Sequence, residues 1–177
     1  MAYHHLAIAV RDIQKTHDFY ERVMGFELVK VEVAPVSTGG WGKHFFYRMD
    51  EDDTRFIAFW ALHDVPEQES FVYDLNKAGN LPPLTNHFSF NVDSQGELES
   101  RRQKWLDEGL DVFEIDHNWC HSIYTSDPDG NAIEFCNTTG TFSRQDREQA
   151  LAALELAEFK PSPESAMMKL WKAPKPQ

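Results

Sequence analysis

A chain of 177 residues with 41% apolar and 13% aromatic content is the size of one globular domain, long enough to bury about 70% of its unfolded surface. Its net charge of −12 argues against a nucleic-acid or anionic-membrane binder, because attraction to phosphate needs clustered Lys and Arg. No apolar run approaches the roughly 18 residues of a membrane span, no export signal is read at the start, and Cys120 and Cys136 form neither a CxxC pair nor a disulfide framework, so reduced thiols in a cytoplasmic protein are expected.

In chain order, alternation over 3–10 predicts a strand. Asp12 is placed to cap a helix running to about Met24, with Ile13, Tyr20 and Met24 near one face and Gly25 as its stop. Strands are predicted over 27–34, 43–49 and 55–62, with Gly39-Gly40-Trp41-Gly42 as a turn. This is a βαβββ unit. Residues 63–83 read as a connector or lid with a short helix around 69–77. A second βαβββ unit starts at Asn86: a capping box of Ser94 and Glu97 opens a helix carrying Leu98, Trp105 and Leu106 and stopped by Gly109. Strands follow near 111–116, 121–126 and 131–137, the last two joined by Pro128-Asp129-Gly130. Ser143 then caps an amphipathic helix through Leu151, Leu154 and Ala157, and the proline-rich residues 160–177 read as an irregular tail or arm.

The repeat points to chemistry. His5-Leu6-Ala7-Ile8-Ala9-Val10 recurs as His87-Phe88-Ser89-Phe90-Asn91-Val92. Strand parity puts His5 with Ala7 and Ala9, His87 with Ser89 and Asn91, and Glu134 with Ala132 and Cys136, while the bulky apolar residues take the opposite faces. A strand histidine taken singly is more often a hydrogen-bonded histidine than a ligand, and Glu134 taken singly is a solvent-facing glutamate. All three at matching edges of a repeat are the parts of a metal site. His4 competes with His5, and the repeat register favours His5, since Asn86 precedes His87. Two imidazoles and a carboxylate suit Fe(II), Mn(II), Ni(II) or Zn(II) and leave open positions for substrate or oxygen.

With these residues the chain resembles the vicinal oxygen chelate superfamily of glyoxalase I, bleomycin- and fosfomycin-resistance proteins and extradiol ring-cleavage dioxygenases, over about residues 3–138. The resemblance implies an α+β fold: paired βαβββ modules forming a cupped mixed sheet around a metal, here residues 1–140 (module one 1–65, connector 66–83, module two 84–140), followed by a C-terminal helix and tail over 141–177. It carries the metal ligands over to His5, His87 and Glu134. A fourth ligand, a glutamate usual in glyoxalase I on the last strand of the first module, falls at Ala58, which cannot bind metal. The run His117, Ile123-Tyr124, Asp127-Pro128-Asp129-Gly130 and Glu134 resembles the extradiol dioxygenase signature and implies catalytic roles for His117 and Tyr124, with His121 as rival to His117. A further histidine of ring-cleaving relatives falls at Asp53-Thr54-Arg55, and His44, one strand earlier, is the candidate that reaches toward the cavity.

The leading expectation is an Fe(2+) enzyme that opens a catechol-like ring with O2, with Phe46, Phe56 and Trp60 as candidate walls for a flat apolar substrate. Read singly, each of these is as readily an ordinary core aromatic. A second expectation keeps a non-redox metal and makes the chain an isomerase, lyase or transferase. A third is a binder that sequesters an aromatic compound, which retention of all three ligands opposes. The resemblance also implies a homodimer, with the helix at 143–158 and the tail clasping a second subunit.

Overall fold

The computed structural model describes residues 3–49, 53–158 and 167–175. They fall into two compact units, residues 1–87 with 126–132, and residues 88–125 with 133–177.

In the first unit the chain runs β1 (His5–Val10), α1 (Ile13–His17), β2 (Glu27–Pro35), β3 (Trp41–Arg48) and β4 (Phe56–His63). Asp12 caps α1, its carboxylate accepting from the Gln14 and Lys15 amides at 3.0 and 3.2 Å. The predicted single helix to Met24 is present as a path, but after His17 it widens into a π-helical stretch, Asp18–Val23, and Met24 N–H reaches back to the Phe19 carbonyl. Gly25, at φ +80°, ends it where expected. The sheet order is β1-β4-β3-β2, with β1 parallel to β4 and the other pairs antiparallel. Trp41 and Gly42, expected in a turn, are the first residues of β3, paired with His63 and Leu62.

The helix-side face of this sheet is the core. Phe45, Tyr47, Ile57 and Phe59 are buried there, and Tyr20 from the π-helical turn packs on Phe59 with ring centres 4.3 Å apart. Each such side chain contributes about 1.5–3 kcal/mol on burial, which holds the short helix down despite its widened geometry.

The connector holds two short turns in place of the single helix expected around 69–77: a 3-10 turn at Gln68–Ser70 and α2 (Leu75–Ala78). Asp74 interrupts the stretch because its carboxylate is the α2 cap, accepting from the Asn76 and Lys77 amides at 3.0 Å each. The Asp-Pro-Asp-Gly turn packs in this unit. Tyr20 donates to Asp127 at 3.2 Å, the Leu75 amide donates to Asn131 at 2.9 Å, and Gly130, at φ +93°, leaves only 2.9 Å between a would-be Cβ and the Asp74 carboxylate.

The second unit is built around β5 (His87–Asn91), α3 (Gln95–Asp107), β6 (Val112–Asp116), β7 (Cys120–Ser126) and β8 (Ala132–Thr138). Ser94 caps α3 by accepting the Glu97 amide at 3.1 Å, while the Glu97 carboxylate takes the Asp93 amide rather than closing a reciprocal box. Trp105 and Leu98 of α3 are fully buried, Trp105 stacking on Phe135 at 5.1 Å. After β8 comes α4 (Arg144–Leu154), which carries a reciprocal Ser143/Asp146 box and no buried residue.

The tail departs from the sequence reading. Residues 167–171 are not irregular; they form β9 (Met167–Trp171), which pairs antiparallel with β6 and extends the sheet to the order β5-β8-β7-β6-β9. Trp171 anchors it, its indole N–H donating to Glu114 and its ring lying under the Arg102 guanidinium at 4.2 Å. Lys172 pairs with Asp111 at 2.6 Å. Of the predicted tail, residues 160–166 and 176–177 lie outside the described residues. No helix among the described residues is long and apolar enough to cross a membrane.

Candidate metal and proton-transfer site

Strand parity sorts the sequence candidates. On the first sheet, the face opposite the helix carries His5, Ala7 and Ala9 of β1, Phe56, Ala58 and Trp60 of β4, and His44 and Phe46 of β3, since Ala58 pairs with Ala7 and Phe46, and Trp60 with Ala9 and His44. The His5 ring stands 5.5 Å from Phe46 and 6.1 Å from His44. His44 stacks flat on Trp60, 4.2 Å apart and 12° from parallel. Gly42 permits that layer, because a Cβ there would meet the Trp60 ring at 2.9 Å. His44 Nε2 is buried without a hydrogen-bond partner. Burial first, and the field of His5 second, press the His44 pKa below the ordinary histidine value.

Two histidines of this unit are oriented by neighbours. His5 Nδ1 lies 2.9 Å from His4 Nδ1. His87 Nδ1 lies 2.9 Å from the Leu84 carbonyl, the backbone of Leu84 being turned to φ +66°. A proton on Nδ1 satisfies that carbonyl and leaves Nε2 as the lone-pair nitrogen, the tautomer a metal-binding histidine requires. The Leu84 carbonyl is a functional group that sequence reading missed, and a left-handed leucine after two prolines carries no signal for it.

In the second unit the candidates form a chain of contacts. Counting inward from the Thr139 N–H to Trp119 carbonyl bond of 2.9 Å, the β7–β8 hairpin sets Tyr124 opposite Glu134 and Ser122 opposite Cys136. The Tyr124 hydroxyl donates to Glu134 Oε1 at 3.0 Å, and His117 Nε2 lies 3.3 Å from the same hydroxyl. Glu134 and Tyr124 are 4% and 6% exposed. Burial, and then the Glu134 charge, push the Tyr124 hydroxyl far above the ordinary tyrosine pKa, so it stays protonated and acts as a donor. His117 is placed by a tight turn, its amide donating to the Cys120 carbonyl at 2.9 Å with Asn118 left-handed at φ +69°.

His121 lies on the other face. Its partners are Gln95 at 2.9 Å and Glu114 at 2.8 Å, beside α3, where Glu114 also accepts from Arg102. That ring is committed to the helix-side network. Cys120 and Cys136 share the Tyr124 face as unlinked thiols, and burial pushes the Cys120 thiol up to about 12.

The three ligand candidates divide between the units, His5 and His87 in the first and Glu134 in the second. Among the described residues no group of three or more His, Cys, Asp or Glu side chains is gathered closely enough to hold a metal. The donor chemistry of the set fits a borderline divalent ion: a histidine with its Nδ1 held by a carbonyl, and a buried carboxylate steadied by a phenol.

Comparison with known proteins agrees with this frame. The family model described as Glyoxalase/Bleomycin resistance protein/Dioxygenase superfamily matches residues 2–135. A probable trivalent organoarsenical cleaving enzyme of Bacillus subtilis (strain 168) is 26% identical over 156 residues, 85% of this chain and 89% of that protein. Catechol-2,3-dioxygenase of the same organism is 22% identical over 143 residues; the match takes in 80% of this chain and 43% of the dioxygenase, so the chain spans less than half of that relative. Among solved structures, a mutant of the fosfomycin resistance protein FosX from Listeria monocytogenes, complexed with Mn(II) and 1S,2S-dihydroxypropylphosphonic acid, superposes with a TM-score of 0.54 at 18% identity, covering 85% of this chain and 97% of that one, a likeness of fold.

Proposed function

This chain belongs to the glyoxalase/bleomycin resistance protein/dioxygenase superfamily, and from that premise we propose that it is a metal-dependent ring-cleavage dioxygenase acting on a catechol-like aromatic with O2. The observation that carries the reading is the contact chain His117–Tyr124–Glu134. A carboxylate that binds metal, a phenol that donates beside it and an imidazole at the phenol are the groups needed to hold a diol and move its proton. His5, His87 and Glu134 would hold the metal, Fe(2+) in this reading, with Mn(2+), Ni(2+) or Zn(2+) as the ions of a non-redox alternative. Iron, when bound, would acidify a substrate hydroxyl and relay electrons from the diol to dioxygen.

This chain's own residues do the rest. Tyr124 donates a hydrogen bond to Glu134 Oε1 and would orient a substrate oxygen beside it. His117, the imidazole at that phenol, accepts the hydroxyl proton and returns it to the ring-opened product. Both atoms of O2 end in the product, so no outside reductant is required. His44, buried on the His5 face with Nε2 unpartnered, would be the ring nitrogen available to hydrogen-bond a reactant oxygen, in place of the histidine that residues 53–55 lack. Phe46, Phe56 and Trp60 form the flat apolar wall. In this reading the protein works in the cytoplasm as a homodimer on a small aromatic molecule, without nucleic acid or membrane.

The test is anaerobic reconstitution with Fe(II), followed by metal analysis and oxygen uptake on a panel of catechols. One iron per chain with oxygen consumption lost in His87→Ala supports the proposal. Stoichiometric Zn, Ni or Mn with no oxygen uptake would replace it with the isomerase, lyase or transferase reading, which the absence of a histidine at 53–55 favours.

A further inference from the structure

The β9 strand puts apolar side chains in line with the proposed site. Across the second sheet Glu134 lies opposite Tyr124, Tyr124 pairs with Phe113, and Phe113 pairs with Leu170. These four side chains form one lateral row on one face of β8, β7, β6 and β9. The row beside it reads Cys136, Ser122, Ile115 and Met168. Chemistry changes along the row from carboxylate to phenol to phenyl to alkyl. Exposure changes with it: Glu134 and Tyr124 are nearly closed off, Phe113 is half-buried, and Leu170 is 55% and Met168 67% exposed.

We propose that Leu170 and Met168 of β9, with Phe113, form a specificity-determining subsite that takes the apolar substituent of the same substrate whose diol is held at Tyr124 and Glu134. The inference rests on the ring-cleavage reading for what sits at the polar end. The occupant follows from continuity, since the apolar shelf is the outward extension of the row that holds Glu134. Its reach follows from strand spacing: two spacings, about 10 Å, separate Tyr124 from Leu170. The preferred substrate is therefore a catechol bearing an alkyl chain or second ring about 10 Å long, not catechol itself. The shelf exists because β9 is locked to β6 by Trp171, whose side chain points to the opposite face with Glu114 and Arg102.

The experiment uses the Fe(II)-loaded protein and a series of 4-alkylcatechols of increasing length. Both kcat/KM and the equilibrium Kd, the latter read anaerobically by calorimetry, are followed against chain length. In the wild type each added methylene group is expected to improve both by about two- to fourfold until the chain spans the shelf. The double variant Met168→Ser with Leu170→Ser is expected to flatten that slope. Met167→Ser, on the other face of β9 and 73% exposed, is expected to keep the slope. Should the double variant not yield folded protein, Leu170→Ser alone carries the same test with about half the flattening.

A wild type without chain-length dependence overturns the subsite, as does a double variant that keeps the full slope. A double variant that changes from dimer to monomer in sedimentation with its slope intact also overturns it, showing that a second copy covers the shelf. Absence of turnover with a Kd slope that the double variant loses would retain the subsite and reject ring cleavage, so the two readings fail separately.

Discussion

The two sheets follow one plan and put different chemistry on it. At corresponding positions the first sheet pairs Phe46 with Ala58, and the second pairs Tyr124 with Glu134. Ala58 is fully buried and Glu134 is 4% exposed, so both positions are enclosed, but only one carries a group that can bind or hold a proton. Moving outward, the first row passes to Lys30 on β2 and stops, whereas the second passes to Phe113 and on to Leu170. On this face the first sheet thus carries a wall of aromatic rings with His5 and His44; the second carries the acid, the phenol and a graded apolar path. A duplicated fold gives two equivalent frames, and specialisation then needs only a few exchanges at matched positions.

The largest expected effect comes from erasing that difference at its centre. Glu134→Gln removes the proposed anionic ligand, and stoichiometric iron and all oxygen uptake are expected to be lost together, checked by metal analysis and an oxygen electrode. Retention of one iron per chain would remove Glu134 from the ligand set. Tyr124→Phe makes the second sheet resemble the first at one position. Iron is expected to stay bound while kcat falls about 10²- to 10⁴-fold, the range for a positioned proton-transfer group. An unchanged kcat would leave Tyr124 as packing.

On the structural side, Phe59→Ala on the helix-side face of the first sheet is expected to lower stability by about 3–5 kcal/mol in urea unfolding, because the ring is fully buried against Tyr20. Val33→Ala, on the same face of β2 but 67% exposed, is expected to cost less than about 0.5 kcal/mol. Equal losses from the two would contradict the burial assigned to each.

The smallest effect concerns pH. Each unit holds a buried tyrosine that donates to a carboxylate, Tyr20 to Asp127 and Tyr124 to Glu134. Burial raises the Asp127 pKa above 3.8, and hydrogen bonds from Asn131 offset this in part. The folded state therefore binds the Asp127 proton more tightly than the unfolded chain does. Its stabilising contribution is full below 3.8 and declines as pH rises through the elevated folded value. Asp127→Asn is expected to flatten the dependence of stability on pH upward from 3.8, measured by denaturant unfolding at a series of pH values. A steeper dependence in the variant would mean that the hydrogen bonds outweigh burial.

Most of the frame was legible in the sequence. Alternation in His5–Val10 and its echo at His87 fixed which side chains share a face, and Asp12, Ser94 and Ser143 marked helix starts through hydrogen bonds that are local in sequence. The site was legible as residue types, and the 117–124–134 spacing became a contact chain because a hairpin converts spacing into register. Long-range partners were not legible. The alternation Met168-Lys169-Leu170-Trp171-Lys172 is a strand signal too short to stand against four prolines nearby, and its partner β6 lies more than fifty residues away. His117 and His121 are equivalent as sequence; strand parity and the Glu114 carboxylate separate them. The first helix widens after His17 where Phe19, Tyr20 and Val23 are buried, and no local pattern records it.

The strap formed by residues 167–171 also has a meaning in time. During synthesis β6 emerges more than fifty residues before the segment that pairs with it. Until then its outer edge offers unpaired backbone groups to any other chain in the same condition. The nascent second sheet thus stays open until residue 171 has been made, whereas the four strands of the first lie within residues 5–63 and complete their order before the second unit begins.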